Sequence, residues 1–305
     1  MQAIHPTWQK SGLNETAEAP LSWWRLIVTL FKLRIVALLL LAAFGGFALG
    51  GNGASFGALV LLAICGTLSA GGASAINQYL ERERDQYMNR TAARPLPAGM
   101  IARPELVLWL GSGMVLAATL LAGLVNWAMA FWVFMGALIY VGVYTVWLKP
   151  RTAINIVIGG AAGSCAVLSG GAATGNWANP GVLILALLLF AWTPAHFWSL
   201  ALAYRDDYAK AAYPMLPALV SPASAARWTA LHTLTTVWAG LALGLWPNFD
   251  GYYLLPVGLA SVAFLWRTGL LLLRPERKQA LALFHLSNLY LTLVLFVTMF
   301  ATLWR

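Results

Sequence analysis

Runs of about 20 consecutive apolar residues recur along the whole chain, and such a run has few places to go other than across a lipid bilayer as a helix. Nine are read: 25–49, 56–77, 105–124, 126–147, 153–172, 181–204, 227–246, 251–273 and 281–304. They are too long, and too lacking in alternation, to be strands of a membrane barrel. The third and fourth runs divide at Asn126, and the stretch 206–226 is too polar and too short to span. Composition agrees. With 60% hydrophobic and 10% charged residues, a water-soluble globule would lack the polar side chains to cover its surface. The same apolar content excludes disorder. Two cysteines, Cys65 and Cys165, both inside runs, cannot build a disulfide framework or a cysteine-rich metal site and read as packing residues. Glycine pairs inside the runs (Gly45-Gly46, Gly71-Gly72, Gly159-Gly160 and Gly170-Gly171) read as close helix contacts. The expected fold is all-α: a cytoplasmic tail over 1–22, then one polytopic transmembrane domain of nine helices over 23–305.

Nine spans put the two termini on opposite sides. The side holding the N-terminus and the connections 2–3, 4–5, 6–7 and 8–9 carries 18 of the 19 Lys and Arg residues, leaving Arg305 to the other. The positive-inside rule makes the crowded side cytoplasmic, with the C-terminus outside. The net charge of +9 is therefore a topology signal, and nucleic acid is not an expected partner. No secretory signal peptide or Arg-rich transit peptide precedes the first run, so the expected location is a bacterial-type plasma membrane.

The outer connections are short and nearly uncharged apart from Asp250, so the chemistry is expected on the cytoplasmic face. At the end of the second run, Asn77, Glu81 and Asp85 are spaced i, i+4, i+8. If the helix continues, they share one face. Two carboxylates and an amide oxygen in a row repel each other unless a cation sits among them. Oxygen ligands suit Mg²⁺, which is commonly shared with substrate phosphates. Nearby arginines, including Arg90 and Arg94, match phosphate geometry. A solvated, salt-bridged loop is the plain alternative. Beyond the sixth run, Arg205-Asp206-Asp207 repeats the mixture with Lys210 close by. Glu83 falls off the stripe.

The sixth run contains Trp192-Thr193-Pro194-Ala195-His196-Phe197-Trp198. The proline weakens the local backbone bonding and is expected to kink the helix. His196, ten residues before Asp206, is expected near mid-bilayer, where an ionisable side chain is a functional candidate. Imidazole is a common ligand of haem iron; a packed, hydrogen-bonded histidine is the alternative. His232 and His285 lie nearer the cytoplasmic ends and read as structural. Arg267 either snorkels or faces the interior.

These motifs resemble the UbiA-type intramembrane prenyltransferases and, within them, the protoheme IX farnesyltransferase (haem O synthase) family. The first family motif, Asn-x3-Asp-x3-Asp running into Met-x-Arg-Thr-x2-Arg-Pro, is met by NQYLERERDQYMNRTAARPLPAG over 77–99. The second is W-T-P-x-H-F-W at Trp192–Trp198, followed by Asp206-Asp207-Tyr208 and Pro214-Met215-Leu216-Pro217. Lesser matches are YTVWLKPRTAINIVIGGAAG over 144–163, Lys32 with Arg34-Ile35-Val36, and LFHLSNLYL over 283–291. Three departures stand out. Glu81 replaces the usual Asp, Leu33 replaces a usual Pro, and SCAVLSGG (164–171) replaces a Pro-containing stretch ending in Gly-Trp. The last bears on the fit to the ring substrate.

The resemblance implies a nine-helix UbiA-like bundle with a cavity facing the cytoplasm. It implies Mg²⁺ held by Asn77, Glu81, Asp85, Asp206 and Asp207, and the diphosphate of farnesyl diphosphate met by Arg90, Arg94, Lys149, Arg151 and Arg205. It further implies haem b as second substrate, His196 as its contact, and a downstream haem-modifying enzyme as partner. Two other readings remain open: a sister enzyme prenylating a quinone precursor, and a carrier for haem or an anionic lipid.

Overall fold

The computed structural model describes residues 22–51, 55–246, 249 and 251–303, and every regular element among them is helical. In chain order they are α1 (Trp23–Leu30), α2 (Leu33–Gly50), α3 (Phe56–Asp85), α4 (Glu105–Gly123) and α5 (Trp127–Leu138), which runs on as a π-helix over Ile139–Leu148. Then come α6 (Asn155–Gly159), α7 (Ala161–Ala173), α8 (Pro180–Ala203), α9 (Arg205–Lys210), α10 (Leu216–Leu219), α11 (Pro222–Leu243), α12 (Gly251–Leu273) and α13 (Arg277–Leu303). The tail over 1–21, with His5, and the residues Asp250 and Arg305 lie outside the described part.

Local chemistry sets the ends. Ser55, Asn126, Asn179 and Ser221 each accept a backbone N–H at the start of α3, α5, α8 and α11, satisfying donors a helix start leaves orphaned. Pro180 and Pro222 follow the last two caps, where a missing N–H costs nothing. Asn126 also donates to the Ala172 carbonyl at 2.7 Å, so the expected break between the third and fourth spans is a real one.

Eight segments among the described residues are long and apolar enough to cross a membrane; α11, the seventh expected span, falls short of that apolarity. Its 22 residues reach about 33 Å, so length is not the reason. Arg227 and His232 lower its hydropathy, and Thr229, Thr233, Thr235 and Thr236 add to this, although each threonine returns its hydroxyl to the carbonyl four residues earlier. The threonine polarity is consumed inside the helix. The fifth expected span is broken at Gly160 into α6 and α7. Pro194 does not interrupt α8.

The largest core joins α2, α7, α8, α11, α12 and α13, and a second joins α2, α3, α4, α5 and α7. Backbones touch where α2 crosses α7 and where α3 crosses α4. A Cβ at Gly46 would land on the Val167 carbonyl, and one at Gly170 on the Ala43 carbonyl. Cys65 and Cys165 are free and buried. A third cluster, including Met88, Tyr144, Trp198, Tyr208, Tyr213 and Met215, ties the loops to the charged end of the bundle.

Candidate functional site

Helix α3 has 30 residues and extends about 45 Å. That exceeds an apolar layer of about 30 Å, so its last turns leave the apolar part while remaining helical. Asn77, Glu81 and Asp85 line one face there and are all buried, at 2, 6 and 3% exposure. The cation expected among them is supplied by the protein three times over. Lys32 donates from Nζ to Asn77 Oδ1 at 2.7 Å, Lys149 pairs with Glu81, and Arg94 Nη1 meets Asp85 Oδ2 at 2.8 Å. Thr91 returns its hydroxyl to the Asp85 carbonyl, folding the following loop back so that Arg94 arrives.

Lys32 and Lys149 are each delivered by a local irregularity. Lys32 has a left-handed backbone (φ 49°) at the break between α1 and α2, a conformation that costs about 1–2 kcal/mol; its Nζ also reaches the Tyr140 hydroxyl at 3.0 Å. Lys149 is delivered by the π-helix, where its N–H bonds the Tyr144 carbonyl five residues back. An i→i+5 winding advances about 80° per residue instead of about 100°. Over nine residues an α-helix would set Tyr140 and Lys149 on opposite sides; the π winding returns both to the side of Thr145. Asn77 Nδ2 donates to Thr145 Oγ1 at 3.0 Å, and Tyr140 and Tyr144 stack with ring centres 6.0 Å apart.

The second acidic pair follows α8. Asp207 is buried and Asp206 is exposed. Asn89 Nδ2, from the loop after α3, donates to Asp207 Oδ1 at 3.1 Å, so the two motifs meet although 118 residues separate them. A cavity of about 280 Å³ lies there, lined by Asn89, Ala203, Tyr204, Arg205, Asp206, Asp207 and Arg277. Arg277 stands over the Tyr204 ring at 5.3 Å. Tyr213 joins the two regions: Lys149 and Arg84 stand over its ring at 4.5 and 4.9 Å. Burial, and then the charges of Glu81 and Asp85, push its phenol well above the ordinary range, so it stays a neutral hydrogen-bond donor. Ala212 just before it has the other left-handed non-glycine backbone among the described residues, φ 53°.

The cation candidates divide. Arg94 and Lys149 sit in the α3 cluster, Arg90 lies against the Tyr208 phenol, and Arg205 lines the cavity. Arg151 stands outside the group: its Nη1 caps the Val146 and Trp147 carbonyls, each at 2.8 Å. Among the described residues no three His, Cys, Asp or Glu side chains converge closely enough to hold a metal. Three basic side chains meet two carboxylates and an amide on α3.

His196 is half-buried and lies seven residues, roughly 10 Å, from the end of α8. Its ring stacks on Trp192 at 4.3 Å and on Phe284 at 4.5 Å. Nδ1 is 2.8 Å from Ser287 Oγ, and Trp192 Nε1 donates to the Ser287 carbonyl. His232 packs edge-on against Trp198 and His285 against Phe284. Arg267 is on the exposed face of α12, away from the cavity.

The model of the UbiA prenyltransferase family matches residues 38–301. The chain belongs to the UbiA prenyltransferase family. It is 44% identical over 281 residues to a protein of Paramagnetospirillum magneticum named protoheme IX farnesyltransferase 2, covering 90% of this chain and 96% of that one. A protoheme IX farnesyltransferase of Saccharolobus islandicus is 40% identical over 267 residues, 87% of this chain and 93% of the relative. The fold is similar to that of a digeranylgeranylglyceryl phosphate synthase, with a TM-score of 0.75 at 17% identity over 92% of this chain and 99% of the other. It is also similar to a UbiA homologue of Archaeoglobus fulgidus bound to GPP and Mg²⁺, with a TM-score of 0.60 at 16% identity over 90% and 99%. As a UbiA-type prenyltransferase, the protein is an enzyme.

Four participants escaped the sequence reading as site residues: Lys32, Asn89, Tyr213 and Arg277. Lys32 has a sequence signal, a charge inside an apolar run that also falls in a lesser family match, and Tyr213 has one in the proline-rich segment that follows it. Asn89 and Arg277 have none, because only the packing of distant loops brings them in.

Proposed function

We propose that this prenyltransferase moves a farnesyl group from farnesyl diphosphate to a vinyl group of haem b, with addition of water, giving haem O and diphosphate. The observation that carries the choice of ring is His196, an imidazole of the W-T-P-x-H-F-W segment stacked between the rings of Trp192 and Phe284. The names of the relatives support it.

The donors are oxygens, the type Mg²⁺ takes, and among the described residues they do not converge on one point by themselves; with substrate phosphates completing its shell, Asn77, Glu81 and Asp85 from α3, and Asp206 and Asp207 from α9, would hold it. When bound, it neutralises charge on the leaving diphosphate. The chain's own share is electrostatic. Lys32, Lys149 and Arg94 sit where negative charge collects as the farnesyl C–O bond breaks, and the oxygen leaves with the electron pair. Because both α3 carboxylates are already paired with basic side chains, the site favours a metal arriving with diphosphate over a bare metal ion. The allylic cation is met by the vinyl carbon pair. Water adds to the resulting cation and loses a proton, which leaves a hydroxyethylfarnesyl group. Tyr140 and Tyr144 offer aromatic faces beside this path.

The quinone-type alternative draws little support. Residues 164–171, the stretch that departs from the family, were read as bearing on the fit to the ring substrate. Instead Val167 and Gly170 pack against the backbone of α2, and Ser164 donates to the Ala186 carbonyl. The departure is a helix contact and not a change in the described cavity. The topology belongs to the same proposal: nine spans in a plasma membrane, N-terminus and catalytic end cytoplasmic, C-terminus outside. Cysteine labels at Gly99 and Lys210 should react from the cytoplasm and one at Asn176 from outside.

The test is to incubate purified protein with haem b, farnesyl diphosphate and Mg²⁺ and weigh the pigment. Haem O with released diphosphate, lost in EDTA and regained with Mg²⁺, is the expected result. Binding without diphosphate release would favour a carrier.

A further inference from the structure

Ser287, on α13, is fully buried opposite His196. Its Oγ is 2.8 Å from Nδ1 of His196 and 2.8 Å from the carbonyl oxygen of Phe284. The serine has one proton for these two contacts. If it pointed at a bare Nδ1, the lone pairs of two oxygens would face each other at hydrogen-bond distance. If it served the carbonyl while Nδ1 stayed bare, nitrogen and oxygen lone pairs would collide instead. A carbonyl can only accept. One arrangement satisfies both contacts: Ser287 Oγ–H donates to Phe284, and His196 Nδ1–H donates to Ser287 Oγ. Stacking between Trp192 and Phe284 holds the ring in this plane. The backbone of Phe284 is also within hydrogen-bond reach of the ring, and a carbonyl there likewise calls for a ring N–H.

We infer that Ser287 is a positioning residue that locks His196 in the Nδ1–H tautomer and leaves the Nε2 lone pair free to bind a metal centre carried by the substrate. The proton on one ring nitrogen decides which nitrogen can ligate, and the partner of the other sets that choice. That the centre is haem iron rests on the function proposed above; the tautomer does not.

The two parts are tested separately. Protein labelled with ¹⁵N-histidine and reconstituted in lipid without haem is measured by NMR, and the His196 signals are assigned by their loss in His196→Gln. The expected spectrum has Nδ1 protonated and Nε2 bare. Ser287→Ala should populate the Nε2–H form, and Ser287→Thr should keep the original one. Titration with haem b should then show histidine-ligated absorption that weakens about tenfold to a hundredfold in Ser287→Ala and recovers in Ser287→Thr. A protonated Nε2 in the unaltered protein, or a tautomer indifferent to Ser287→Ala, overturns the inference. The expected tautomer together with haem absorption unchanged in His196→Gln leaves the Ser287 assignment standing and removes the haem reading.

Discussion

The acidic stripe on α3 and the acidic pair on α9 carry similar residues but are built differently. On α3, Glu81 and Asp85 are buried and each faces a cation from another part of the chain, Lys149 and Arg94. On α9, Asp206 is exposed and Asp207 is held by the neutral amide of Asn89, beside an open cavity. A buried carboxylate without a partner is strongly penalised, so the α3 charges are inseparable from the fold. The α9 charges are free to answer a ligand. Fold stability and chemistry should therefore be coupled at the first site and separable at the second.

The largest effect should come from Lys149→Met, which leaves Glu81 buried and unpaired at a cost of about 3–5 kcal/mol. Thermal unfolding in detergent should show it, and adding Glu81→Gln should restore most of the stability without restoring turnover. If the double variant is as unstable as the single one, the pairing is not what holds this end together. Next, Asp85→Asn preserves shape but removes one charge from the reacting site. Turnover should fall at least about 100-fold, or about 2.7 kcal/mol; near-normal turnover would detach the α3 stripe from the reaction. Asp206→Asn removes a proposed Mg²⁺ ligand at an exposed position, so it should lower kcat/KM by about tenfold and leave the unfolding temperature unchanged. A loss as large as that of Asp85→Asn would erase the contrast between the two sites. The smallest effect belongs to Glu83→Gln. The Glu83 side chain is 79% exposed and pairs with its neighbour Arg82, so activity should stay within about twofold of the unaltered enzyme.

Much of this molecule was legible before folding was considered. Long apolar runs identify membrane helices because a bilayer offers the backbone no hydrogen-bond partner. The i, i+4, i+8 stripe on α3 was readable because a continuous helix turns spacing directly into facing. Hydropathy read differently over α11, where threonines look polar in a list but bond their own helix. The divergent 164–171 stretch, read as bearing on the ring substrate, packs as a helix crossing, since small residues serve both purposes equally well in one dimension.

The residue order alone determined the membrane class, the acidic motifs and the position of His196 within α8, because each depends on neighbours within a few turns. What the tertiary structure decided was partnership. Lys149 faces Glu81 because ten residues wind as a π-helix, and Lys32 reaches Asn77 because one residue adopts a left-handed backbone. Asn89 bonds Asp207 across 118 positions, and Ser287 meets His196 across 91. A hydrogen bond is decided within a fraction of an ångström, whereas sequence spacing sets only which face of its own helix a side chain occupies. The approach of two helices is a collective result of every contact between them.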